Sequence, residues 1–301
     1  MAASMKNVFG LITFVTAGMI IVAFFQLAFI QKLENSSHGI SHWENDKEVD
    51  NLRIGYVKPQ IVSWSPRITV LHNFLSTEEC DFLRAIAKPR LQTSTVVDAK
   101  TGKGIESKVR TSTGMFLSSE EKRYPMVQII EKRISVYSQV PVENGELIQV
   151  LRYEKNQYYK LHHDYFSDTF NLKSGGQRIA TMLMYLSDTV EGGETYFPMM
   201  PGFPGHNFGP QNLELNQYTE NNFRPWNYNL NLDLHAGSGN CSCGGKVVEG
   251  LSVKPFKGDA VLFWSMGLDG QSDPKSLHSA CEVVSGEKWS ATKWMRQRTI
   301  S

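Results

Sequence analysis

The chain has 301 residues, a formal net charge of +1, 41% hydrophobic residues and 11% aromatic residues, enough to bury one substantial core and a smaller appendage. The balance of 31 Lys+Arg against 30 Asp+Glu excludes a broad basic face of the kind that neutralises phosphates, so nucleic acid is not an expected partner.

In chain order, the first predicted element is the uncharged run from Val8 to Ile30, flanked by Lys6 and Lys32. At about 1.5 Å per residue it can cross a hydrocarbon core of about 30 Å with some tilt. A cleavable signal peptide would carry a shorter apolar region ending in small residues. This run ends in LAFIQKLE, so a transmembrane signal anchor is expected over 8–30. Positive charge on its short side is limited to Lys6 and the amino terminus, and the expected arrangement is a short cytoplasmic tail at 1–7 with the large C-terminal part lumenal. Residues 31–52 are polar, lack an apolar period and read as a lumenal stem. The catalytic or binding domain is expected over 53–301.

PRITVLHNF alternates as a strand does, and in STEE Ser76 stands three residues before Glu79, the spacing of a capping box that opens an amphipathic helix through Ala87. The stretch from Asp98 to Lys108 lacks the glycine spacing and Gly-Lys-Ser/Thr ending of a phosphate loop and reads as a mobile polar loop. A second helix is predicted over 126–137, with Ile129, Ile130, Ile134 and Tyr137 near one face. From Gly145 onward short apolar runs are separated by turn residues: ELIQVLRY, RIATMLMYLS, GLSVKP, DAVLFWS, CEVVSG and KWSATKWM. The expected fold class is therefore mainly β with flanking helices, built on a double-stranded β-helix (jelly-roll) core. Residues 200–235 are rich in Asn, Pro and Gly, keep neither a period of 2 nor of 3.6, and read as a disordered insertion in a strand-to-strand loop.

Cys80, Cys241, Cys243 and Cys281 are compatible with two disulfides in an oxidising compartment, with all three connectivities open. Glycosylation triplets occur at Asn35 and Asn240. Asn35 lies close to the predicted membrane surface, which leaves Asn240 as the expected acceptor.

The stretch YKLHHDYF, Tyr159 to Phe166, crowds two histidines and a carboxylate together. In an extended strand His162 and Asp164 share a face while His163 points away. Such a triplet alone is more often a polar loop than a metal site. A third ligand would have to come from elsewhere, and His278, beside an apolar strand, is the candidate. Two histidines and one carboxylate leave coordination positions open, which suits non-haem Fe(II). Ten residues after His278 stands Lys288, a cation in an apolar and aromatic strand. Unpaired, it would be a costly charge to bury, and a dicarboxylate ligand would pair it.

At this point LIQVLRYEKNQYYKLHHDYF, GGQRIATMLMYLSDTVEGGETYFP and KGDAVLFWSMGLDGQSDPKSLHSACEVVSGEKWSATKWMRQ, with the N-terminal anchor, resemble the plant prolyl 4-hydroxylases, type II membrane proteins of the endoplasmic reticulum and Golgi. The resemblance implies that His162, Asp164 and His278 bind Fe(II). It implies that Lys288 pairs with the far carboxylate of 2-oxoglutarate, with Tyr153 and Thr195 as hydrogen-bonding neighbours. Arg178, Tyr159, Glu146 and Trp294 match positions lining a peptide groove in relatives. Core packing for Trp294 and Tyr153, and a strand-edge charge for Arg178, are the alternatives. The implied reaction consumes O2 and 2-oxoglutarate, with ascorbate as reductant, releases succinate and CO2, and yields 4-hydroxyproline. Its substrates would be proline-rich secretory or cell-wall polypeptides of the extensin or arabinogalactan type, and extended polyproline II chains suit an aromatic groove to which Tyr158, Tyr159 and Trp294 contribute. Partner subunits stay open.

Two features depart from the family pattern. Many relatives carry His at the position of Arg296, and they pass almost directly from GGETYFP to Cys-x-Cys without a counterpart of residues 200–235. The latter keeps a second reading open, a membrane-tethered binding module for proline-rich chains whose catalysis the insertion impairs. The same chemistry on lysine or another side chain is a third.

Overall fold

The computed structural model describes residues 50–98, 100–188, 191–198 and 240–300. The predicted tail and anchor, the stem up to residue 49 and the segment 200–235 lie outside the described residues. Among the described residues no helix is long and apolar enough to cross a membrane. One compact unit runs from Leu52 to Ser301.

The chain opens with β1 (Lys58–Trp64), β2 (Arg67–His72) and α1 (Thr77–Ala87), followed by β3 (Gln92–Thr93), β4 (Thr95–Val97), β5 (Gly104–Glu106) and β6 (Thr113–Phe116). Helix α2 (Pro125–Ser138) leads into β7 (Gln149–Tyr153), β8 (Tyr159–His162), β9 (Arg178–Tyr185), β10 (Glu191–Gly192) and β11 (Thr195–Phe197). The last third supplies β12 (Asn240–Cys243), β13 (Lys246–Glu249), β14 (Leu251–Val253), β15 (Ala260–Trp264), β16 (His278–Ala280), β17 (Val283–Ser285) and β18 (Lys288–Arg296).

The larger sheet runs in the order β1-β2-β15-β9-β18-β7-β6-β3 and the smaller in the order β14-β11-β16-β8. Alternation along the central strands decides what each face meets. Met182 and Met184 of β9, Leu262 of β15 and Ala291 of β18 point to one side, where they pack with Leu83 of α1 and Ile130 and Ile134 of α2. Tyr185, Val261 and Phe263 point to the other, against Phe197, Leu251 and Val253 of the smaller sheet. Each such buried apolar side chain contributes about 1.5–3 kcal/mol. The layering of helices, large sheet and small sheet is that of a jelly roll flanked by helices.

The capping box forms: the Ser76 Oγ accepts from the Glu79 amide at 3.2 Å, and the Glu79 carboxylate accepts from the Ser76 amide at 2.8 Å. The same carboxylate takes two hydrogen bonds at 2.7 Å from the buried Arg133 guanidinium of α2, so one side chain caps α1 and ties the two helices together. The second tie runs from α2 to the sheet, where Lys293 of β18 donates to the Glu131 carboxylate at 2.5 Å.

The structure corrects two expectations here. The stretch 98–108 is not a loop throughout, because β4 and β5 pair as a hairpin around a turn in which Asp98 accepts from the Lys100 amide and the Thr101 hydroxyl. One disulfide forms rather than two, Cys243–Cys281. Cys80 is packed into the core on the helix side of the large sheet, away from Cys241 on the hairpin β12–β13, and both are buried thiols. Burial pushes the Cys80 thiol up to about 12. Strand β14 and that hairpin hold the residues that flank the segment 199–239: Phe197 pairs with Leu251 of β14, and Asn240 pairs with Glu249 of β13.

Candidate active site

Two strands of the smaller sheet bring the histidines together. His162 ends β8, His278 begins β16, and the two are register partners. Strand β8 stops at His162, so Asp164 does not share its face by strand alternation as predicted. A bend turns the carboxylate back, and the Thr181 hydroxyl of β9 donates to its Oδ2 at 2.7 Å. The His162 Nε2 lies 3.6 Å from the Asp164 Oδ1, and the His278 Nε2 lies 3.7 Å from its Oδ2. One ligand atom from each residue falls within 4.8 Å of the others. His163 faces elsewhere, its Nε2 at 3.0 Å from the Pro274 carbonyl.

The ring tautomers follow from the far nitrogens. The His162 Nδ1 donates to the Lys160 carbonyl at 2.8 Å, and the His278 Nδ1 to the Ser276 carbonyl at 2.9 Å. Each Nε2 lone pair is thereby left facing Asp164, the arrangement that orients metal-ligating histidines. Burial, reinforced by His278, pushes the His162 imidazole down to about 3. Burial would raise Asp164, but the adjacent His278 and His162, then Arg178 and the Thr181 hydroxyl, outweigh it and hold the carboxyl at about 2. Two imidazole nitrogens and a carboxylate form a donor set that fits Fe(II). Tyr159 stacks on His162 with ring centroids 3.6 Å apart, and Phe263 stands edge-on to His278 at 4.6 Å.

The cavity that holds these three side chains is also lined by Lys288, Tyr153 and Thr195. Lys288 opens β18 directly opposite Tyr153 and is 1% exposed. Its Nζ sits 5.4 Å from the Tyr153 ring centroid and 5.6 Å from that of Tyr185. Burial lowers its ammonium to about 8, opposed by the Glu194 carboxylate. The Tyr185 and Thr195 hydroxyls are 2.8 Å apart. The buried Lys288 cation and the Thr195 hydroxyl thus line the same cavity as the His162, Asp164 and His278 triad.

A groove of about 400 Å³ opens in front of the triad, lined by Tyr159, Arg178 and Trp294. Arg178 forms a bidentate pair with Glu146, both contacts 2.7 Å, and its guanidinium lies 4.0 Å over the Trp294 ring. Glu146 does not line the groove; it serves as the counter-charge that fixes Arg178. Arg296, the departure from the pattern, lies beside Glu146 at 3.4 Å and donates to the Asn171 and Ser174 carbonyls. The side chain of Asn240 lies outside the described residues.

Sequence reasoning missed Thr181 and Arg110. Thr181 is a hydroxyl in the otherwise apolar RIATMLMY run, a signal that was present. Arg110 sits alone in a loop and gave none. Its guanidinium is buried, lies 4.8 Å over the Tyr159 ring and donates to the Thr95 carbonyl and the Gln149 side chain.

Comparison with known proteins agrees with this geometry. The family model for the 2OG-Fe(II) oxygenase superfamily matches residues 148–296. Prolyl 4-hydroxylase 1 of Arabidopsis thaliana is 59% identical, the match covering 100% of both chains. Probable prolyl 4-hydroxylase 3 of the same plant is 49% identical over 78% of this chain and 71% of the relative. Among solved structures, the viral collagen prolyl hydroxylase of Paramecium bursaria Chlorella virus-1, as its 2OG complex, matches 76% of this chain and 95% of its own at 24% identity, with a TM-score of 0.49. On identity over its full length, the chain belongs to the prolyl 4-hydroxylases of the 2-oxoglutarate- and Fe(II)-dependent oxygenase superfamily.

Proposed function

We propose that the chain hydroxylates peptidyl proline to 4-hydroxyproline in proline-rich polypeptides, coupled to oxidative decarboxylation of 2-oxoglutarate to succinate and CO2. The observation that carries this reading is one cavity holding both the His162, Asp164 and His278 triad and the buried Lys288 ammonium.

His162, Asp164 and His278 would hold the iron through two Nε2 atoms and a carboxylate oxygen. Fe(II), when bound, supplies open positions for 2-oxoglutarate and O2 and the redox chemistry between them. Lys288 pairs with the far carboxylate of the cosubstrate, and the Thr195 hydroxyl and Tyr153 orient it. Desolvation makes that pairing stronger than it would be in water. Tyr159, Phe263 and Phe197 wall the site and keep water from it. Arg178, fixed by Glu146 and stacked on Trp294, shapes the groove in which an extended polyproline II segment presents its proline.

The substrates are secretory or cell-wall proteins of the extensin or arabinogalactan type, and ascorbate is the reductant. A helix over 8–30 anchors the chain in the endoplasmic reticulum or Golgi membrane with the domain lumenal and Asn240 glycosylated. The Cys243–Cys281 disulfide supports an oxidising compartment.

The test is succinate release matched to 4-hydroxyproline formation by the full chain in detergent, with Fe(II), 2-oxoglutarate, ascorbate and a poly-proline peptide. Peptide-dependent turnover that disappears in His162→Ala is the expected result. Binding of the peptide without hydroxyproline, in the wild type and in a variant lacking residues 200–235, would overturn the assignment in favour of a binding module.

A further inference from the structure

The catalytic groove does not end at the metal site. Val109, Tyr159 and Leu161 line it on one side and also line a second, open trough of about 650 Å³. That trough runs across the outer face of the smaller sheet, between β8 and the hairpin β12–β13, with the Cys243–Cys281 disulfide in its wall. Its other lining includes Tyr158, Tyr196 and Val248. Both added tyrosines are tethered at their tips, Tyr158 to the Lys108 carbonyl at 3.3 Å and Tyr196 to the Glu249 carbonyl at 2.6 Å. Their rings are therefore held in place with little entropy left to lose on binding.

We propose that this trough is a second docking site for the same proline-rich chain, engaging residues of the polypeptide beyond the proline that reacts. The proposal rests on the hydroxylase reading above, since continuity with the catalytic groove is what names the occupant. Tyr158 directly precedes β8, and Tyr196 lies on β11, with β16 between those strands. Two strand spacings amount to about 9–10 Å across the sheet, and the register, with Tyr159 opposite Ala280 and Tyr196 opposite Ser279, adds a stagger of about two residues along it, so the two tyrosines stand about 12 Å apart. A polyproline II helix repeats every three residues at about 3.1 Å each, so same-face prolines recur every ~9 Å. The two tyrosines are a little further apart than one such repeat, so a chain running obliquely over the sheet would meet them with prolines about four residues apart. Stiff chains that are already extended lose little entropy in such a site, and each further turn of contact adds to affinity.

Fluorescence anisotropy of labelled hexaproline and dodecaproline, which span about 19 and 37 Å, tests this without requiring turnover. In the wild type the dodecamer binds more tightly. Tyr196→Ala and Val248→Asp are each expected to weaken the dodecamer at least fivefold and the hexamer less than twofold. Turnover follows the same split, with KM for the long peptide raised and kcat and the short-peptide KM unchanged. Equal effects on both lengths, or no effect on either, overturn the proposal, and Val248→Asp decides alone if Tyr196→Ala does not fold. Loss of hydroxyproline formation by the wild type with the length split retained would strike the hydroxylase reading and leave the trough standing.

Discussion

Thr181→Val tests the construction of the metal site at a residue outside the ligand set. The Thr181 hydroxyl is buried and donates to the Asp164 Oδ2 at 2.7 Å. Valine keeps the shape and removes the donor. A hydrogen bond to a charged group contributes about 1.5–3 kcal/mol, which corresponds to the roughly 10–100-fold loss of metal affinity usual when a ligand's supporting partner is removed. The effect should appear in affinity rather than in chemistry, because His162, His278 and both carboxylate oxygens remain. Anaerobic titration with Fe(II) or Mn(II), followed by calorimetry, should give a Kd raised 10–100-fold. KM for 2-oxoglutarate at saturating metal should stay within twofold, and Thr181→Ser should restore affinity. A folded Thr181→Val protein that binds metal within threefold of wild type would refute the reasoning, since Asp164 would then be oriented by something other than this bond.

Lys288 is charged below about 8 and neutral above it, so attraction for the far carboxylate is lost as pH rises. KM for 2-oxoglutarate should climb about tenfold per unit above that point while peptide KM stays level, and Lys288→Met should raise KM and flatten the profile. A profile unchanged by Lys288→Met would assign the titration elsewhere. Glu146→Gln leaves Arg178 and Arg296 without their carboxylate. The Arg178–Glu146 side chains are only 13% and 18% exposed, so a loss of about 3 kcal/mol in urea unfolding is expected, together with a raised peptide KM and an unchanged 2-oxoglutarate KM. Stability within 0.5 kcal/mol of wild type would show the pair to be dispensable. Reducing Cys243–Cys281, which joins positions 38 residues apart, removes about 4 kcal/mol of chain-entropy stabilisation. Tm with and without reductant measures it, and Cys243→Ser should abolish the difference.

The legible parts of the sequence were those where one local rule decided the outcome. Ser76 and Glu79 announce the start of α1 because capping needs only neighbours three apart. KWSATKWM reads as a strand because Trp289, Ala291 and Met295 alternate with residues that face the site. What escaped depended on contacts distant in sequence. The edge strand β1 carries exposed Ile61 and Trp64 and takes its order from pairing with β2, not from its own pattern. The β4–β5 hairpin is too short and too polar for a period of 2 to show. Asp164 does stand beside His162 and His278, but not by strand alternation, since a bend and the Thr181 hydroxyl aim it. Arg110 meets Gln149 and Tyr159 only after folding.

The pairing of Phe197 with Leu251 and of Asn240 with Glu249 makes the connection between β11 and β12 a seam in the molecule. A strand stitched on both sides of a single residue, Gly250, offers an exit and an entrance side by side, so the length of what is threaded between them is nearly free to vary. Removing residues 200–235 would change loop-closure entropy by only about 2 kcal/mol. The frame on either side is held by sheet hydrogen bonds and by the disulfide. New sequence can therefore enter at this point of the gene without asking the catalytic core to re-form around it.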